Sequence, residues 1–160
     1  MAYPRGATTI SMQFLVAFDG SDEAERALGY AVDLTAAVGG RLTVVHVVDP
    51  AVHEDGGSEP IETLGDADGR LVIESPEVAE ERGLRLLDEA TELAADLGED
   101  VATELLYGDP AEAITDFADS GEFAALFVGH RGLSAHAERL LGSVAKGVVE
   151  RARLPVTVVS

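Results

Sequence analysis

The chain has 160 residues, 46% of them apolar, and sets 11 Lys plus Arg against 30 Asp plus Glu for a formal net charge of −19: enough length for a two-sided core, and a surface that repels nucleic acid and anionic membranes. No apolar stretch approaches the roughly 20 residues needed to span a bilayer, and the lack of cysteine excludes disulfides, thiol chemistry and cysteine-ligated metal. The first residues lack the apolar core of a signal peptide, so a cytoplasmic location is expected, and self-repulsion of this size points to a high-salt, halophilic interior that screens it.

Residues 1–11 read as a flexible N-terminal tail, and 12–160 as a single domain. Met12–Phe18 is the first predicted strand, short and apolar. Asp22, with Glu25 three residues on, reads as a capping pair opening a helix whose inner face is Ala24, Ala27, Leu28, Ala31, Thr35 and Val38, and Gly39-Gly40 ends it. Leu42–Val48 is β-branched and apolar almost throughout, as expected of a strand covered on both faces of a parallel sheet.

Residues 49–75 carry glycines, prolines and many carboxylates with little periodicity, and read as an acidic insertion, disordered in preference to a functional lid. Ser75-Pro76 then opens a helix with Leu86, Leu87, Ala90, Leu93, Ala94 and Leu97 on one face, stopped by Gly98. Val101–Tyr107 is the third strand. Asp109-Pro110 caps a helix with Ala113, Ile114, Phe117 and Ala118 inward, Phe123–Val128 is the fourth strand, and Pro155–Val159 is the fifth. Between them Val144, Ala145, Val148, Val149 and Ala152 repeat at helical spacing. Strands alternating with helices predict an α/β fold with a parallel sheet.

Two glycine-bearing turns then fall at one carboxyl edge of that sheet: Asp19-Gly20-Ser21 after the first strand, and Gly129-His130-Arg131-Gly132 after the fourth, followed nine residues later by Gly142-Ser143-Val144 at a helix start. Glycines let backbone N–H groups approach a ligand, and a helix N-terminus favours an anion, so the segment reads as a phosphate cradle; the same glycines could serve only as turns. It is neither a P-loop nor the dinucleotide fingerprint, since no Gly-Lys-Ser/Thr and no G-x-G-x-x-G occurs. Arg131, Arg139, Lys146, Arg151 and Arg153 cluster in 130–153, where only Glu138 and Glu150 oppose them. A phosphate would need cations there, although Arg151 and Arg153 also answer a helix dipole.

Asp19 facing this cradle points to a ribose hydroxyl or bound Mg²⁺ between them, or else to a cap on the following helix. His46, inside an apolar strand, reads as a core residue, whereas His130 either caps its strand or touches phosphate. His53 and His136 have no partners at metal-ligand spacing. Ser143 reads as a phosphate ligand, not a nucleophile, and Lys146 reaches either phosphate or solvent.

Val16-Ala-Phe-Asp19-Gly-Ser21, Val45-His46-Val47 and the pattern Gly129-x2-Gly132-x9-Gly142-Ser143 together resemble the ATP-binding branch of the universal stress protein (UspA-like) family, from about Met12 to Ser160. The resemblance implies a five-stranded parallel sheet in the order 3-2-1-4-5 with helices on both faces, ATP with Mg or Mn as a regulatory ligand, and homodimers through strand 155–159. It places Ala17 and Asp19 beside the adenosine and gives the adenine the main chain of Val47. Gly129, His130, Arg131 and Gly132 would wrap ribose and phosphates, and Gly142, Ser143 and Val144 would hold the outer phosphates with a divalent ion. Ala17 stands where the family often has proline. No general base beside the outer phosphate can be named, so rapid ATP hydrolysis is not expected. The competing readings are a slow ATPase or adenylyl-transfer enzyme, and a dimeric stress protein that binds no nucleotide.

Overall fold

A computed structural model describes residues 11–49, 75–130 and 141–160; nearly all of the predicted tail and of the acidic insertion, and Arg131 and Gly132, lie outside the described residues. The elements run β1 (Gln13–Ala17), α1 (Asp22–Val38), β2 (Arg41–Val48), α2 (Pro76–Asp96), β3 (Val101–Tyr107), α3 (Pro110–Ser120), β4 (Phe123–Gly129), α4 (Ser143–Arg151) and β5 (Val156–Val159). The strands form one five-stranded sheet in the order β3-β2-β1-β4-β5, with every pairing parallel. This is the expected α/β sheet.

Alternation along the strands divides the apolar residues between two layers. Phe14, Val16 and Phe18 of the β1 segment join Leu42 and Val44 of β2 under α1 and α2, where Leu28, Val32, Leu87 and Ala90 close the layer. Phe127 lies in the same layer, its ring 5.9 Å from that of Phe14 in an edge-on pair. Leu15, Val45, Leu126 and Val128 point the other way, against Ile114 and Ala118 of α3 and Ala145 and Val148 of α4. The chain leaves β1 for one face and β4 for the other, so the carboxyl ends of these adjacent strands flank a topological switch point.

The helix starts are set by local chemistry. Asp109 and Ser75 cap α3 and α2 as their sequences predict, accepting from the amides of Glu112 and Val78. At α1 the expected cap is corrected by one residue: Ser21, not Asp22, holds the cap position, and its Oγ accepts from the Ala24 amide at 3.1 Å. The reason lies upstream, where Asp19 Oδ1 accepts from the Ser21 amide at 2.9 Å and Gly20 takes φ +82°, which leaves Ser21 extended with its hydroxyl over the first turn. Asp22 then sits inside the first turn, where its charge favours the dipole. Ser21→Ala is expected to cost about 1 kcal/mol in a urea titration, because it removes the cap from a buried helix start.

Four residues that fall on the predicted apolar helical faces are instead exposed: Val38, Leu97, Val144 and Val149. Val38 and Leu97 stand at the ends of α1 and α2, beyond the sheet. The nine-residue α4 approaches the core through Ala145 and Val148, and Gly147 lets it sit so close to α3 that a Cβ there would lie 2.6 Å from that of Ala111.

Candidate functional site at the carboxyl edge

The described site residues come from three strands and one helix that meet at the switch point. Ala17 ends β1 beside Val45, and Val47 lies two residues further along β2, opposite Leu106 of β3. Both side chains pack half-buried against the layer under α3 and α4, on the face from which α4 approaches. Gly129 ends β4 opposite Val159 of β5. A side chain at Gly129 has no room: a Cβ would come within 2.9 Å of the Glu23 carbonyl carbon and 3.0 Å of the Ala24 nitrogen. The end of β4 therefore lies directly against the first turn of α1, beside Asp19.

His130 is tied into the edge through its main chain. Its amide donates to the Val159 carbonyl at 2.6 Å, and its carbonyl accepts from the Gly142 amide at 2.9 Å. The second bond brings the start of α4 back to the end of β4 and brings Gly142, Ser143 and Val144 to the same edge as Asp19. Gly142 is the cap residue of α4, extended at φ −61° and ψ 154°, and makes no side-chain cap bond. The other three described helices each begin on a side-chain oxygen that takes up a first-turn amide. At α4 the cap residue, a glycine, supplies no such oxygen, and a helix N-terminus of this kind favours an anion.

His46, expected in the core, is 9% exposed and faces α2, with Nδ1 2.8 Å from the Phe18 carbonyl. A carbonyl only accepts, so the ring donates from Nδ1–H and the neutral ring carries its proton there. Burial pushes the imidazole below its ordinary 6.5, against the opposing pull of the Phe18 bond and Asp19, and the Arg82 charge lowers it further. Because folding lowers this pKa, the unfolded chain takes up the proton first, and stability is lost as pH falls below 6.5 towards the folded value; above 6.5 the group contributes no pH dependence. His46→Asn is expected to remove that part of the acid sensitivity, read as a smaller difference between urea midpoints measured at about pH 7.5 and about pH 5.

Glu23 and Arg26 lie 3.4 Å apart on α1's first turns, the arginine exposed and the carboxylate largely covered, and Arg26 Nε also donates to the Ser160 carbonyl at 3.0 Å. Among the described residues no group of three or more His, Asp or Glu is gathered as a metal cage. A recess of about 590 Å³ lies at the opposite edge of the sheet between the C-terminal ends of α3 and α4, and holds Asp116 and Asp119 with Arg151 and Arg153. It contains none of the predicted site residues. Sequence reasoning missed Gly83 and Gly20 as contact points: a Cβ on Gly83 would lie 2.9 Å from the His46 ring, and one on Gly20 would lie 2.8 Å from Leu86. Only the packing of α2 reveals them.

The family model described as "Universal stress protein family" matches residues 12–160. The chain belongs to that family. Universal stress protein YxiE of Bacillus subtilis is 32% identical over 153 residues, covering 92% of this chain and 97% of its own length. Among solved structures, a universal stress protein in complex with cAMP is 27% identical, with a TM-score of 0.61 over 93% of this chain and 96% of that one. The universal stress protein from Archaeoglobus fulgidus in complex with dAMP is also 27% identical, with a TM-score of 0.63 over 94% of this chain and 99% of its own. In this universal stress protein, no described helix is long and apolar enough to cross a membrane.

Proposed function

We propose that this universal stress protein binds an adenine nucleotide, ATP with Mg²⁺ foremost, at the carboxyl edge of its sheet, and that occupancy is a regulatory signal. The observation that carries the reading is the start of α4, a glycine cap with no side-chain bond, held by His130 beside the end of β4. Relatives with cAMP and dAMP bound support the adenine class. Val47 offers its main chain to the adenine, Ala17 and Asp19 flank the adenosine, and Gly129, His130, Arg131 and Gly132 enclose ribose and phosphates. The amides of Ser143 and Val144, with the Ser143 hydroxyl and the backbone of Gly142, take the outer phosphate oxygens.

The donors fit an oxygen-rich anion, while a divalent ion would take most of its ligands from the phosphates and water, with Asp19 or Ser143 completing the set. When bound, that ion would neutralise phosphate charge, which a chain at −19 otherwise repels. No side chain is assigned as a general base, so the reading is one of binding, without rapid hydrolysis. β5 supports a dimer through 155–159: among the described strands it is an edge strand that pairs only with β4, and it is half-buried along Val156–Val159. The interior in which this works is the cytoplasm of a high-salt cell.

The test is to purify the protein in molar KCl with Mg²⁺, denature it, identify any released nucleotide by mass, and titrate the emptied protein with ATP. Stoichiometric adenine nucleotide, or micromolar ATP binding, is expected. Neither would leave the dimeric stress protein without nucleotide as the better account.

A further inference from the structure

The proposed binding residues leave unused a buried histidine one strand away. We propose that His46 is a positioning residue for the adenosine side: its Nδ1–H, donated to the Phe18 carbonyl, fixes the β1–α1 turn that carries Asp19, and α2 holds the ring in place through Gly83. This deepens the nucleotide-binding reading and rests on it.

Three contacts make the assembly. The 2.8 Å bond from His46 reaches the last carbonyl before Asp19, where β1 has ended and the ladder to β2 is nearly spent. The Phe18 amide still donates to the Val45 carbonyl at 2.8 Å, so one bond from β2's main chain and one from its side chain hold both polar groups of Phe18. Beyond Phe18 the turn is carried by Asp19 Oδ1 on the Ser21 amide and by Gly20 at φ +82°.

α2 closes over this turn at two glycines. Gly83 lies on the His46 ring, where a Cβ would stand 2.9 Å from Cδ2 and 2.8 Å from Leu105 Cδ1, so the ring is confined between helix and sheet. Leu86, one turn further along α2, lies against Gly20 in the same way, 2.8 Å from where its Cβ would be. α2 thus touches the turn directly through Leu86 and indirectly through His46. A displacement of α2 would change the direction of the Phe18 carbonyl and, with it, the Asp19 carboxylate. The ring's charge neighbours are Arg82 from α2 and Asp19 from the turn, while β3 presents Leu105 in register with it.

Asn at position 46 places an amide N–H near the position of Nδ1, and Gln places one near Nε2, so the pair separates the hydrogen bond from bulk and polarity. ATP titrations in molar KCl with Mg²⁺ on wild type, His46→Asn, His46→Gln and His46→Leu are expected to give His46→Asn within about threefold of wild type, and the Gln and Leu variants weaker by about tenfold or more, since both strand a buried carbonyl. Should His46→Leu fail to fold, the Asn and Gln pair decides, with melting curves on both. ¹⁵N spectra of the wild-type imidazole are expected to show the proton on Nδ1. Equal ATP affinity in all folded variants, or a proton on Nε2, overturns the positioning role and leaves nucleotide binding standing. A wild-type protein that binds no ATP overturns both.

Discussion

Gly142→Asp is expected to weaken ATP binding at least about a hundredfold while leaving the protein as stable as before or slightly more so. The cap position is already extended, at φ −61° and ψ 154°, so any residue fits its backbone. A carboxylate there can take up a first-turn amide of α4, as Ser21, Ser75 and Asp109 do for the other described helices. Relative to glycine that bond adds a few tenths of a kcal/mol to the fold. It also removes a donor from the ligand and sets a negative charge within a few ångströms of the phosphates, a repulsion of about 4 kcal/mol at an effective dielectric of about 20. Calorimetric titration with ATP and a urea melt on the same preparation check both halves. If the glycines served only as turns, affinity would not respond, and a loss of stability would mean that the N-terminus of α4 is not open.

Gly129→Ala is expected to damage fold and site together. Its added Cβ meets backbone rather than a flexible side chain, 2.9 Å from the Glu23 carbonyl carbon and 3.0 Å from the Ala24 nitrogen, so β4 and α1 must separate. Overpacking of this kind costs about 1–3 kcal/mol. Since the same contact holds the first turn of α1, and Asp19 with it, against the cradle strand, ATP affinity falls as well. Gly29→Ala in the middle of α1 is the control of opposite sign. A Cβ there meets nothing within 4 Å, and the exchange is expected to stabilise by about 0.5–1 kcal/mol. Thermal melts of the two variants should therefore move in opposite directions.

The contrast between these glycines shows what the sequence could and could not reveal. The five strands were legible because parallel strands buried on both faces are continuous apolar runs, and the helix starts were legible from Ser75-Pro76 and Asp109-Pro110. The sheet order came from the resemblance, not from periodicity. At α1 the spacing pointed to Asp22 as the cap, and the shift to Ser21 was made by the Asp19–Gly20 turn, a geometry that no spacing rule contains. Thr115 escaped notice because it is polar, yet it is buried, its hydroxyl donating to the Ala111 carbonyl at 2.8 Å. Val38, Leu97, Val144 and Val149 went the other way, being apolar at inward spacing on helix segments that reach past the sheet or touch it on a narrow stripe.

At the site, the turn residues announced themselves by type, because glycine, aspartate and serine after a buried strand have few other uses together. The lateral clamp did not. Gly83 lies inside an ordinary helical pattern, and only its 2.9 Å approach to the His46 ring gives it meaning. Likewise, the sequence shows that α4 starts at a glycine, but not that His130 draws that start back to β4 through a 2.9 Å main-chain bond.

The most direct test of nucleotide binding at the carboxyl edge is an amide-resolved NMR titration of the wild-type protein with ATP and Mg²⁺ in molar KCl. The account predicts that the largest shifts fall on Ala17, Asp19, Val47, Gly129, His130 and the amides of Ser143 and Val144. Shifts confined to Thr115, Asp119 and Arg153 at the opposite edge, or no shifts at all, would contradict it.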